Sequence, residues 1–148
     1  MTSNQLAVGY LRKCTDRLAA LAVLVSREAW SDVVRESQEI VELALKGVLR
    51  SIGVDPPKWH DVGGLVLEHA GKLPALPAEE IRYLAAASKS LRKEREFSFY
   101  GDVDFVPTDE YDRDDGTEAA EQARRATEAL GAVLGQAEAP EAPEATRE

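Results

Sequence analysis

The chain has one cysteine, Cys14, among its 148 residues. That excludes an internal disulfide and a cysteine-rich zinc site. Only two histidines are present, His60 and His69, too few for a histidine-based metal cluster without carboxylate help. Aromatics are scarce at 6%, and runs of β-branched residues are short. Both facts argue against a sheet-rich fold. No run approaches the roughly 20 apolar residues that a membrane-spanning helix requires, so no membrane association is expected. The start, MTSNQLAVGY, lacks the basic and then apolar pattern of a secretory leader, and a cytoplasmic location is the expectation. Two catalytic signatures are also missing: G-x-S-x-G for a nucleophilic serine and G-x-x-x-x-G-K for a phosphate loop.

Ala, Leu, Glu and Arg dominate instead, and all four are strong helix formers. The net charge of −9 is unevenly placed. Residues 1–101 are nearly neutral, whereas residues 102–118 carry eight carboxylates against Arg113 alone. The acidity therefore belongs to one segment and the C-terminal tail, and local charge decides which partners the body can bind.

Apolar residues recur at helical spacing in five segments. The first covers about residues 4–26, with Leu6, Tyr10, Cys14, Leu18, Leu21 and Val25 on one face. The second follows Ser31 and Asp32, read as capping residues. It runs through Val33, Val34, Ser37, Val41, Leu45, Val48 and Ile52, and stops at Gly53 before Pro56 and Pro57. A short third helix begins near His60–Asp61, with Gly63 and Gly64 read as points of close backbone packing. The fourth starts at Pro77, uses Glu79 and Glu80 at its positive end, and reaches Arg95 or Phe99. The spacing predicts a fifth helix over 117–134, after an acidic loop at 101–116. Residues 1–136 thus form one domain, and 137–148 read as a disordered acidic tail. Short connections favour an all-α, up-and-down bundle of four to five antiparallel helices.

Three clusters invite chemistry. His60–Asp61 resembles a metal-ligand pair, but Asp61 is more simply a helix cap, and no cofactor is expected. The acidic loop lacks the alternating ligands and sixth-position glycine of a calcium loop, so it reads as a solvated segment. The stretch SKSLRKEREFSFYGD, residues 88–102, places Lys89, Arg92, Lys93 and Arg95 before Phe97, Phe99 and Tyr100. Cations with aromatics suit phosphate and base contacts. The competing reading is a helix C-terminus whose dipole favours cations. Cys14, on the apolar stripe, reads as a buried thiol.

The run DVVRESQEIVELALKGVLRSIGVDPPKWHDVGGLV, residues 32–66, resembles the second and third helices of HEPN-domain proteins. Gln38, Glu42 and Leu45–Lys46 match that family's pattern, as do the turn from Gly53 to Pro57 and His60–Asp61. LRKEREFSFYGD and the helix after Tyr111 are similar as well, so the resemblance covers about residues 5–134. It implies a helical bundle, usually a homodimer, that acts as a metal-independent ribonuclease or as the toxin-like partner of a small nucleotidyltransferase. The family's motif pairs an Arg with a His four to six residues later. Arg95 matches the Arg and Glu96 its polar neighbour, but Tyr100 stands where the His belongs. A phenol titrates near 10 and an imidazole near 6.5, so Tyr100 is a poor proton shuttle. The resemblance therefore implies binding of nucleotide or RNA phosphate through Arg92, Arg95, Glu96 and Tyr100, with no catalytic residue assigned. A structural interaction module without a nucleotide ligand is the alternative.

Overall fold

The computed structural model describes residues 2–56, 58, 61–99 and 110–138, with the side chains of 93–99 and 136–138 outside that description. Within these residues the chain is helical and contains no strand. The helices are α1 (Ser3–Ser26), α2 (Trp30–Ser51), α3 (Val62–Glu68), α4 (Ala78–Phe99) and α5 (Arg113–Glu138), with a 3-10 turn at Ala70–Lys72.

Local chemistry sets most boundaries. Thr2 caps α1 by accepting from the Gln5 N–H, and the Gln5 side chain accepts from the Thr2 N–H in return. Gly53 ends α2 in the left-handed region at φ 79°. Asp61 caps α3, its Oδ1 accepting from Gly63 N at 3.1 Å. Two boundaries differ from the sequence reading. No side chain caps α2, which begins at Trp30 after Ala29. Ser31 is buried rather than capping, because Trp30 lies over Gly116 of α5 and draws the first turn of α2 inward. The fifth helix begins at Arg113, inside the segment read as a loop. Asp112 and Asp115 explain this: each side chain accepts from the other's backbone N–H at 3.0 Å, a reciprocal cap. Four residues of the acidic segment are thus the first turn of α5.

α2 is the central element. Val33, Val34, Ile40, Val41, Ala44, Leu45, Val48 and Leu49 are all buried. A stripe through Arg35, Glu36, Glu39, Glu42, Leu43, Lys46 and Arg50 keeps partial exposure. α1 runs antiparallel to it: Ser3 Oγ donates to Arg50 O at 2.7 Å, and Arg17 pairs with Glu36 at 3.0 Å. α5 runs parallel to α2, with Trp30 over Gly116 at one end and Gly47 against Leu130 towards the other. Ala119, Ala123 and Ala126 face this junction, and their small side chains let the two helices pack directly. α4 lies on the opposite flank from α1, antiparallel to α5. There Arg125 forks onto Glu80 and stacks 3.5 Å from the Tyr83 ring centre. Successive long helices alternate in direction, giving an up-and-down bundle whose core lies between α2 and α5.

α3 explains one glycine. A Cβ on Gly63 would lie 2.8 Å from Ala85 Cα, so the α3–α4 crossing requires its absence. Gly64 does not serve that purpose: its nearest neighbour is the Asp61 carboxylate of the same helix cap.

Candidate functional site

α4 is continuous from Ala78 to Phe99, so the basic stretch is helical and Arg92 and Arg95 lie one turn apart. Ile81, Leu84, Ser88 and Leu91 form the buried face. Arg92 follows at the edge of that face and is exposed. The side chains of Arg95 and Glu96 lie outside the described residues, as does Tyr100 altogether. Of Arg92, Arg95, Glu96 and Tyr100, Arg92 alone can therefore be placed with its surroundings.

Those surroundings are on α2. Gln38, Glu42 and Lys46 stand four residues apart on one face. Gln38 Nε2 donates to Glu42 Oε1 at 2.7 Å, and Lys46 Nζ lies 3.3 Å from Glu42 Oε2. Burial opposes ionisation of Glu42. The Gln38 amide, the Lys46 ammonium and the Arg92 guanidinium outweigh it and hold the carboxyl below its usual range. Glu42 is therefore a fixed negative charge that ties α2 to the basic part of α4. Its partner Gln38 is almost fully buried, and Gln38 Oε1 has no hydrogen-bond partner. Next to this row, Lys13 and Arg17 of α1 join Glu39, Glu42 and Lys46 around a groove of about 300 Å³.

The other candidates resolve differently. Asp61 is the α3 cap, and His60 lies outside the described residues. His69 ends α3 with Nδ1 donating to Leu65 O at 3.0 Å. Among the described residues, no three His, Cys, Asp or Glu side chains converge as a metal site. Cys14 is buried, as its place on the apolar stripe suggested, and donates weakly to Ile40 O at 3.8 Å. Burial pushes its thiol up to about 11, which keeps it protonated and unreactive at neutral pH. No described helix is long and apolar enough to cross a membrane.

The HEPN-domain family profile matches residues 7–133, nearly the whole bundle. The chain belongs to the HEPN-domain family. No curated protein and no solved structure matches it.

How Arg92 is held is not legible in the sequence. Gln38, Glu42 and Lys46 were visible as a four-residue ladder, but their link to a cation fifty residues away exists only once α2 and α4 pack.

Proposed function

We propose that this HEPN-family chain binds the phosphate of a nucleotide or RNA at the C-terminal part of α4, and that it lacks efficient ribonuclease chemistry. The observation that carries this reading is the unbroken α4 helix, which sets Arg92 and Arg95 one turn apart, with Arg92 near the ionised Glu42. Two guanidinium groups at that spacing can each fork onto phosphate oxygens. The negative charge of Glu42 pre-orients Arg92 and limits the rotamer freedom that binding must remove. Glu96 and Tyr100 complete the sequence motif, with Tyr100 available to stack on a base. A phenol in place of an imidazole removes the group that would move protons near neutral pH.

The same proposal places the chain in the cytoplasm as a homodimer whose two α4 basic segments act together, in a toxin-antitoxin-type pair with a nucleotidyltransferase. Light scattering then gives twice the chain mass of 16.2 kDa. Titration of wild type and Arg95→Ala with a short RNA and with ATP tests the binding. Loss of one charge-assisted contact costs about 1.5–3 kcal/mol, so Arg95→Ala weakens binding at least tenfold while its helicity is unchanged. If wild type binds neither ligand, or the variant binds equally well, the cations only neutralise a helix end. The interaction-module reading then replaces this one.

A further inference from the structure

The exposed stripe of α2 lies between α1 and α4, and its charges lead from Arg92 towards α1. The groove of about 300 Å³ between α1 and α2 includes Glu42 in its lining, and Glu42 is also the carboxylate that feels Arg92. The α4 cations and the groove therefore meet at one residue. Beyond Glu42 the lining continues through Lys46 of α2 to Lys13 and Arg17 of α1.

This face carries the opposite charge to the rest of the chain. Lys13, Arg17, Arg35, Lys46 and Arg92 set five positive charges against Glu36, Glu39 and Glu42, a net of +2 in a chain of net −9. Arg12 and Asp16, exposed on α1 outside the lining, cancel. Mixed charge on a helical face is often only a set of solvated ion pairs. That accounts for Arg17, which pairs with Glu36, and for the Lys46–Glu42 contact. It does not account for Lys13, which is exposed and forms no salt bridge among the described residues. Both Glu42 oxygens are occupied, one by Gln38 and one by Lys46. An ammonium has three donors, so Lys46 keeps donors for a second acceptor.

We propose that the α1–α2 groove is a second phosphate subsite, continuous with Arg92 through Lys46, that takes the backbone of single-stranded RNA rather than a free nucleotide. This inference rests on the reading of Arg92 and Arg95 as phosphate ligands. Packed helices lie about 8–10 Å apart, so the row from α4 across α2 to α1 spans about 16–20 Å. The consecutive phosphates of one nucleotide do not cover that distance. A strand rising about 3.4 Å per nucleotide covers it in about five or six. The lining offers cations and the apolar Leu43, with no aromatic ring to stack a base. Contact there is to the backbone and independent of base sequence.

Titration of the full chain with a single-stranded RNA of about ten nucleotides, and separately with ATP, over a range of salt tests this. Lys13→Gln weakens the RNA about threefold to fivefold, the range for one exposed ion pair, and flattens its salt slope by about 0.7. It leaves ATP binding unchanged, because the triphosphate stays at α4. Oligo-A and oligo-U respond alike. Lys72→Gln, at an exposed lysine in the turn before α4, changes neither ligand, and melting curves establish that each variant is folded. Arg95→Ala on the same RNA separates the two claims. If Arg95→Ala weakens the RNA and Lys13→Gln does not, the groove is no subsite while the α4 reading stands. If Lys13→Gln weakens the RNA and Arg95→Ala does not, the α4 reading fails and the continuous track with it. Equal weakening of ATP by Lys13→Gln, equal weakening of RNA by Lys72→Gln, or no binding of RNA by wild type also overturns the proposal.

Discussion

Substituting Gly63 by alanine tests how tightly the α3–α4 crossing is built. The added Cβ would sit 2.8 Å from Ala85 Cα, 3.0 Å from Ala85 O and 3.1 Å from Ser88 Cβ. Two of those atoms are backbone, so no rotamer change relieves the clash, and α3 must move away from α4. Overpacking of this kind costs about 1–3 kcal/mol. Alanine is a better helix former than glycine by up to about 1 kcal/mol, which offsets part of that cost. The net is a destabilisation of about 1–2 kcal/mol. In a chain of this size that lowers the melting temperature by about 2–8 °C. Gly9 supplies the contrast. It lies inside α1 with nothing within 4 Å of its added Cβ. Gly9→Ala therefore keeps the propensity gain and raises stability by up to about 1 kcal/mol. Urea unfolding of both variants gives the two changes directly, provided the slope m matches wild type. If Gly63→Ala also stabilises, the close crossing of α3 and α4 is wrong.

Three further expectations follow from named groups. The Cys14 thiol, pushed up to about 11 by burial, reacts with a thiol reagent at neutral pH only when the chain unfolds; rapid labelling of the folded protein contradicts its burial. Glu42 has a folded pKa below its usual value, so its stabilisation is present above the unfolded carboxylate range and is lost as pH falls through the folded value. Glu42→Gln should accordingly lower the urea midpoint at neutral pH, and the difference from wild type should shrink at about pH 3; a constant difference refutes the charge network. Asp61→Ala removes the α3 cap and costs about 1 kcal/mol, read by the same unfolding curves; no change means that the Asp61–Gly63 bond contributes nothing.

Most of the fold was legible because its signals are local. Helical spacing marked every long helix, Gly53 marked an end, and Asp61 and Pro77 marked starts. Boundaries were missed where a long-range contact decided them. Nothing near Ser31 in sequence reveals that Trp30 packs on Gly116 and so starts α2 two to three residues early. The acidic segment was read by composition as a solvated loop. The reciprocal Asp112–Asp115 cap, a three-residue pattern, turns its last part into helix. The candidate site was legible only as a linear motif around Arg92 and Arg95. That Glu42 faces Arg92 depends on how α2 and α4 pack, and that Lys13 shares a groove with Lys46 depends on how α1 and α2 pack. Periodicity within one helix cannot report either arrangement.

Salt dependence of RNA binding tests the central claim most directly. A single-stranded ligand held by Z phosphate contacts gives a slope of about −0.7Z in log K against log salt. Arg92→Ala and Arg95→Ala, compared with wild type on the same short RNA, should each flatten that slope by about 0.7 per chain. Such flattening is the result the account predicts. Unchanged slopes in both variants, with RNA still bound, would place the phosphate contacts elsewhere on the molecule and contradict it.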